Sequence, residues 1–269
     1  MTAARTARLS EPTAAGEAAE RVAKRIARAG VCSRRDAERW VEAGRVAVDG
    51  KVLTSPAVTV TAANLITIDG VALPEAQVAR LFRYHKPAGL LTTAHDPKSR
   101  PTIYDRLPKD LPRLMPVGRL DFTSEGLLLL TNDGGLKRRL ELPGTGWLRR
   151  YRVRVHGKVD ETRLAGLARG IRVDGFDYGP IEAETDRVQG SNVWLKVALR
   201  EGKNREIRRI MDHFGWPVTR LIRLSFGPFQ LGGLAEGAVE EVTGKVLKEQ
   251  LGALLGGGAA RPRRPRAAR

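Results

Sequence analysis

Apolar residues between positions 21 and 44 recur at the three- and four-residue spacing of two amphipathic helices. Gly30 ends the first predicted helix, and Ser33 with Asp36 three residues later forms a capping box that starts the second. The pattern then changes to alternation, and Asp49-Gly50 supplies the tight turn of a β-hairpin. The sequence therefore predicts a small domain of two helices and short strands over residues 20–79.

The pattern over residues 80–255 is that of a larger domain in which strands predominate. An unbroken apolar run at residues 127–130 predicts a strand buried on both faces. Alternating residues at 151–155 and 193–197 predict half-exposed strands, and the apolar spacing at 207–214 predicts a helix. Since 42% of the 269 residues are hydrophobic, two cores are feasible. The predicted fold class is α+β.

The two ends of the chain have no such periodicity. Residues 1–19 are rich in Ala, Thr and Glu, and residues 256–269 form a Gly/Pro/Arg tail. Because neither composition can bury a core, we predict a disordered N-terminal extension and a disordered basic tail. The N-terminus lacks the apolar segment of a secretory signal, so a cytoplasmic location is expected.

The formal charge of +17 lies mostly outside the two ends. Residues 261–269 carry five arginines and residues 1–20 a net charge of −1, which leaves +13 on residues 21–260. Such an excess attracts polyanions, and nucleic acid is favoured over a membrane surface because no long apolar span accompanies the charge. With a single cysteine, Cys32, and four histidines without ligand spacing, neither a metal nor a cofactor is expected.

A basic surface is predicted on the N-terminal helix pair, where few acids lie among the cations. Its members are Lys24, Arg25, Arg28, Arg34, Arg35 and Arg39, followed by Arg45. The stretch RVAKRIARAGVCSRRDAERWVEAGRVAVDGKVL resembles the S4 RNA-binding domain, over residues 21 to about 68. The resemblance implies docking on structured RNA through its backbone. The RNA-binding residues expected are Lys24, Arg25, Arg28, Ser33, Arg34, Arg35, Arg45 and, in the second domain, Lys86.

The segment VGRLDFTSEGLLLLTNDG, residues 117–134, places Asp121 on a connection just ahead of the buried strand. Gly118 and Gly126 on either side permit tight turns or the close approach of a ligand. Taken alone, an aspartate here is also typical of a turn or a helix cap. The whole segment resembles the catalytic motif of pseudouridine synthases of the RsuA/RluB branch.

Three further segments agree with that family in order and type: HKPAG at residues 85–89, RYRV at 150–153 and EGKNREIRR at 201–209. With the S4-like region, the resemblance spans about residues 21–240. It implies a mixed, mainly antiparallel sheet in the second domain and Asp121 as the catalytic carboxylate. It also implies that Tyr151 lies against the target base, that Arg208 pairs with Asp121, and that Arg119 supports the site.

The residues alone leave two of these roles open. On a helix that starts near Asn204, Arg205 and Arg209 point away from the apolar face, whereas Arg208 lies at its edge. An edge position suits a guanidinium that borders a cleft and holds a carboxylate ionised and oriented, but also an arginine that extends to solvent. Tyr151 is compatible with stacking on an extruded base and equally with a place in the core.

The predicted activity is isomerisation of a uridine to pseudouridine in ribosomal RNA. Asp121 would drive cleavage of the N1–C1′ bond, by attack on C1′ of the sugar, on C6 of the base or by another route. Residues 214–229 resemble the large-subunit branch, which favours 23S over 16S rRNA. Two alternatives stay open: a glycosidase that uses Asp121 with Glu125, and a non-catalytic ribosome-assembly factor. The partner expected is rRNA or an assembly intermediate, bound by a monomer.

Overall fold

The computed structural model of the protein describes residues 19–255 and divides the chain into two compact units between Gln77 and Val78. The disorder predicted for residues 1–19 and 256–269 therefore lies outside the described residues, apart from Ala19. Among residues 19–255, no helix combines the length and the apolar character that crossing a bilayer requires.

Within residues 19–77, the first unit contains two helices and six short strands. They are β1 (Glu20–Arg21), α1 (Val22–Arg28), α2 (Arg34–Glu42), β2 (Val46–Val48), β3 (Lys51–Val52), β4 (Thr59–Val60), β5 (Ile66–Ile68) and β6 (Val71–Ala72). Four strands form a sheet in the order β3-β2-β5-β6, and β1 pairs with β4. The predicted capping box is confirmed, since the Ser33 hydroxyl accepts from Asp36 N while the Asp36 carboxylate accepts from Ser33 N.

The second unit is built on a nine-stranded sheet. Its strands and helices are β7 (Leu81–Lys86), β8 (Met115–Val117), β9 (Ser124–Thr131), α3 (Gly134–Glu141), β10 (Arg149–His156), α4 (Glu161–Gly166), β11 (Ile171–Val173), β12 (Phe176–Tyr178), β13 (Ile181–Gln189), β14 (Asn192–Leu199), α5 (Glu206–His213), β15 (Val218–Phe226), β16 (Phe229–Gln230), β17 (Val239–Glu241) and α6 (Gly244–Leu255).

The order in that sheet is β13-β14-β10-β15-β9-β7-β17, with β16 added to β15 and β8 added to β9. Strands β9 and β15 pair in parallel, and the other pairs in this sheet are antiparallel. The mixed, mainly antiparallel sheet is as predicted. Strands β11 and β12 form a separate hairpin.

Strand β9 lies at the centre of this unit, and all eight of its residues are buried. Leu128 belongs to one hydrophobic cluster with Tyr84, whereas Leu127 belongs to another with Leu136 of α3. Apolar packing on both faces explains the unbroken leucine run and confirms the prediction made from it. A third cluster packs α4 and α5 against β10 and β14, which brings α5 to the face that carries Tyr151.

Gly126 allows β9 and β15 to approach closely. Its φ of +100° is one that side-chain-bearing residues rarely adopt, and a Cβ there would lie 2.7 Å from Arg223 N and still nearer to Arg223 O. Both neighbours are backbone atoms of a paired strand, so neither can move without breaking the sheet. The sequence suggested the close approach of a ligand at Gly126, whereas the structure shows a strand-to-strand contact there.

Gly126→Ala is expected to lower the free energy of unfolding by about 3 kcal/mol or more, because it combines backbone strain with a clash. Gly175→Ala is a matched control, since Gly175 has a φ of +80° but open space around its Cβ position. That control should cost only about 1 kcal/mol. Denaturant unfolding of both variants measures the difference, and equal losses would show that the contact with β15 is unimportant.

Candidate active site

A cavity of about 550 Å³ opens in the second unit. Its walls include the loop before β9, the start of β10, the segment that leads into α5, and residues of α3 and β15. They contribute Asp121, Tyr151 and Arg208 to the walls, together with Arg119 at an exposed position. The structure thus brings the four residues predicted for catalysis and its support to one cavity.

Two arginines flank the carboxylate of Asp121. Its Oδ2 lies 3.7 Å from Arg205 Nη1 and 3.9 Å from Arg208 Nε. Both distances exceed that of a hydrogen bond, so the interactions are ionic contacts. The side chain of Asp121 is 30% exposed, which leaves the carboxylate accessible from the cavity.

Arg208 is held in place by backbone carbonyls. Its Nη1 donates to Val218 O at 3.1 Å and its Nη2 to Thr123 O at 3.2 Å, which joins the start of β15 to the loop that carries Asp121. Burial lowers the pKa of Arg208 from its ordinary value. Its buried Nε has no hydrogen-bond partner among the described residues and lies on the side of Asp121. Arg208 therefore does not extend to solvent, a possibility that the sequence had left open.

Arg205 was expected to point away from the apolar face of the helix, and its side chain is indeed 47% exposed, but it also lies beside Asp121. Helix α5 begins one residue later, at Glu206, and Arg205 has a left-handed backbone with a φ of 51°. The helical spacing used for the expectation therefore does not apply to it. Sequence reasoning missed Arg205 as a neighbour of Asp121, and a non-glycine residue in this conformation has no clear sequence signal.

Tyr151 is half-buried, lines the cavity and also packs against the cluster between β10 and α5. The two roles that the sequence left open, core residue and cavity wall, are therefore compatible. The start of β10 also provides Arg149, which the sequence did not single out. Arg149 lines the cavity and donates to Arg200 O and Trp147 O.

Lys86 does not suit the RNA contact predicted for it. Its side chain is fully buried, and its Nζ donates to Ser124 O and to Pro87 O, each at 2.9 Å. An RNA phosphate at the surface cannot reach this group. Burial lowers the pKa of Lys86 to about 8, against the opposing effect of Asp121. Lys86 fastens the end of β7 to the start of β9, directly after the loop of Asp121.

Comparison with known proteins assigns the two units separately. Residues 80–213 match the family model for RNA pseudouridylate synthase, and residues 20–66 match that of the S4 domain. An uncharacterized RNA pseudouridine synthase of Rickettsia felis is 45% identical over 230 residues, which cover 86% of this chain and 100% of the relative. The chain belongs to the RNA pseudouridine synthase family.

Other relatives agree with this assignment. Ribosomal large subunit pseudouridine synthase B of Salmonella typhi is 44% identical over 233 residues, covering 83% of this chain and 79% of that protein. A crystal structure of a pseudouridylate synthase has a TM-score of 0.59 at 27% identity and covers 86% of this chain and 99% of that one. The chain is accordingly an enzyme of the isomerase class, with an S4 domain at its N-terminal side.

Glu125 is not placed to act as a second carboxylate in this pseudouridine synthase. Arg220 Nε and Nη2 bind its two carboxylate oxygens at 3.0 and 2.8 Å. Since alternate residues of a strand face opposite sides of the sheet, Glu125 points away from the side of Ser124, which lines the cavity. This arrangement argues against the glycosidase alternative, in which Asp121 and Glu125 would act together.

Much of the basic surface of the S4 unit is engaged in ion pairs. Lys24 and Arg28 lie 3.2 and 2.6 Å from Glu20, and Arg34 lies 3.1 Å from Glu38. The remaining predicted RNA-binding residues are placed as follows: Arg25 is 3.9 Å from Glu20, Arg45 pairs with Asp69, Arg35 is exposed, and the Ser33 hydroxyl caps α2. Glu20 and Asp69 lie outside the two helices, so reading the helices alone overestimated the free positive charge.

A buried carboxyl, Glu206, lies on the wall of the cavity. Its Oε2 accepts from Lys203 N at 2.9 Å, and its buried Oε1 has no hydrogen-bond partner among residues 19–255. Burial, with a further contribution from neighbouring Glu201, raises the pKa of Glu206 to about 7. The segment that leads into α5 therefore contains a carboxyl that titrates near neutral pH.

Glu206→Gln is expected to make the protein more stable than wild type at alkaline pH. A carboxyl whose pKa rises on folding favours the folded state at low pH, and this contribution is lost as pH increases from about 4.5 to about 7. Glutamine has no proton to lose. The melting temperature of the variant relative to wild type should therefore rise between pH 5 and pH 8, by about 3 °C. With Glu249→Gln, at an exposed position, the difference should stay flat.

A pH-independent difference for Glu206→Gln would show that Glu206 does not hold a proton in the folded protein near neutral pH.

Proposed function

We propose that this enzyme isomerises a uridine of ribosomal RNA of the large subunit to pseudouridine, with Asp121 as its catalytic carboxylate. The observation that carries the proposal is the position of Asp121, which lies in a cavity between two guanidinium groups and on the same walls as Tyr151. The large-subunit target is supported by the 44% identity to a large subunit pseudouridine synthase B.

The RNA docks on the basic residues of the S4 unit, over residues 20–79, and residues 80–255 carry the chemistry. The target nucleotide leaves its stack, which costs a few kcal/mol, and its base enters the cavity beside Tyr151. Stacking on the Tyr151 ring and contacts of exposed cations with phosphates offset this cost. The proposed enzyme acts as a monomer.

The reaction is an isomerisation, so the nucleotide has the same composition and oxidation state before and after it. The Asp121 carboxylate drives cleavage of the N1–C1′ bond, and uracil departs with the bonding electron pair. The detached base turns and forms a new bond from C5 to C1′. C5 then loses its proton and N1 gains one. The cavity walls keep the base close to the sugar during this rotation.

Asp121→Asn is expected to abolish product while RNA binding persists, because the amide keeps the shape of the side chain but not its charge or nucleophilicity. Turnover should fall by roughly 10⁴-fold or more, the range found when a nucleophilic group is lost. Asp110→Asn is the matched control, since Asp110 is an exposed loop aspartate outside the cavity walls. Purified variants are compared for pseudouridine formation and for RNA affinity.

A site-by-site pseudouridine map of rRNA identifies the substrate. Cells that lack the gene are complemented with wild type, Asp121→Asn or Asp110→Asn. We expect one uridine of the large-subunit RNA to be modified with wild type and Asp110→Asn only. A site in the small-subunit RNA would overturn the large-subunit assignment alone. Normal modification by Asp121→Asn would overturn the catalytic role, and an unchanged map with inactive purified protein would favour a non-catalytic assembly factor.

A further inference from the structure

Arg223 is a buried cation that the proposed reaction does not yet use. It lies on β15, lines the cavity and is only 3% exposed. Its Nε donates to Leu127 O at 2.7 Å, and its guanidinium carbon lies 5.4 Å from the centre of the Phe226 ring. Its buried Nη2 has no hydrogen-bond partner, and Arg223 forms no salt bridge, within residues 19–255.

Such a group is unfavourable for folding, since a buried charge is normally paired. Two further cations lie close to it. Arg149 packs against the same Phe226 ring at 4.8 Å. Burial lowers the pKa of Lys86 to about 8, against the opposing charges of Asp121 and Glu125, and Arg223 adds to the lowering. Arg223 itself forms no salt bridge within residues 19–255, so its guanidinium contributes a positive potential at the cavity wall.

The depth of Arg223 decides which part of the substrate its charge meets. Arg205 and Lys203 also line the cavity, but their side chains are 47% and 46% exposed, as suits contact with phosphates. The phosphates of an extruded nucleotide stay with the strand, whereas its base penetrates furthest. A cation that is 3% exposed is thus placed for the base.

The base becomes negatively charged during the reaction. When the N1–C1′ bond breaks, the bonding pair stays on uracil, and the charge spreads from N1 to the two carbonyl oxygens O2 and O4. A fixed positive charge in a poorly hydrated wall stabilises an anion more strongly than water does, because no reorganisation is needed. The neutral uracil of the bound substrate is stabilised much less by this charge, so the charge mainly increases the rate of bond cleavage.

We propose that the buried charge of Arg223 stabilises the uracil anion formed when the N1–C1′ bond breaks and so lowers the barrier to detachment of the base. The charge returns to neutral when C5 bonds to C1′, C5 loses its proton and N1 gains one. This assignment rests on the proposed function, since it requires a uridine to react at Asp121.

The test compares Arg223→Met, Arg223→Lys and Arg154→Met with wild type in single-turnover reactions at saturating RNA. Met keeps the length of the side chain without its charge, and Lys keeps the charge. Arg154 is a control because it lies between core-facing Val153 and Val155 on β10 and is outside the cavity walls. Arg223→Met should slow conversion by about 10²-fold, the range found when one electrostatic stabiliser is removed. Arg223→Lys should recover much of the rate, and Arg154→Met should equal wild type.

Two further measurements separate this role from a structural one. The RNA dissociation constant of Arg223→Met should stay within about 2-fold of wild type, because neither free RNA nor neutral uracil needs the charge. Its melting temperature should not fall, because an unpaired buried charge is removed. A fall in melting temperature with no rescue by Lys, or a loss of affinity at unchanged rate, would overturn the proposal. If Arg223→Met does not fold, Arg223→Gln carries the same comparison.

A substituted base supplies the most specific measurement. Fluorine at C5 withdraws electrons and stabilises the detached uracil anion by itself. With 5-fluorouridine at the target position, Arg223→Met should therefore slow conversion of the target nucleoside, relative to wild type, by a smaller factor than it does with uridine. An equal factor for uridine and 5-fluorouridine would overturn the proposal. Asp121→Asn is measured in parallel. If both Asp121→Asn and wild type are active, or if neither is, the proposed function and this inference are contradicted together. If Arg223→Met converts uridine at the wild-type rate, only this inference is contradicted.

Discussion

The parallel contact between β9 and β15 at Gly126 is the constraint on which the rest of the site depends. It is the point where the backbone of Arg223 comes too close for any residue with a Cβ. The loop that carries Asp121 runs into β9, and Arg208 on α5 joins this loop to the start of β15 through Thr123 O and Val218 O. Because the two strands are fixed at this contact, carboxylate and guanidinium keep their separation without a direct hydrogen bond.

The buried cations of the site share one means of support. Lys86, Arg208 and Arg223, together with the half-buried Arg149, all donate to backbone carbonyls. Among residues 19–255, the acid that lies in a salt bridge with one of them is Asp121, beside Arg208. Carbonyl oxygens satisfy hydrogen-bond donors but do not cancel charge. Asp121 therefore lies among cations that are positioned by the backbone and remain electrostatically effective, which is the preorganisation that charge development in a reaction requires.

The features that could be predicted from the sequence are those that neighbouring residues in the chain determine. The capping box of Ser33, the hairpin turn at Asp49-Gly50 and the burial of residues 127–130 follow from neighbours in the chain, and the structure agrees with them. The burial of Lys86 and the approach of Arg205 to Asp121 could not be predicted because they depend on distant segments. Lys86 is buried by pairing of β7 with β9, and Arg205 adopts a left-handed backbone just before α5. Arg223 likewise lies at the cavity only because β9 pairs with β15, and the periodicity of a single segment does not predict that pairing.

In the proposed function, exposed and buried cations also have different tasks: the exposed ones dock the RNA, and the buried ones act on the charge that develops during bond cleavage. Arg34 and Arg45 of the S4 unit are paired with Glu38 and Asp69 at the surface, where ion pairs are weak and an RNA phosphate can replace a carboxylate at little cost. Such contacts weaken with salt because exposed charges are screened. A cation such as Arg223, held against Leu127 O inside the fold, is shielded from salt and cannot exchange partners. Docking and bond cleavage can therefore respond differently to ionic strength although both depend on arginine and lysine.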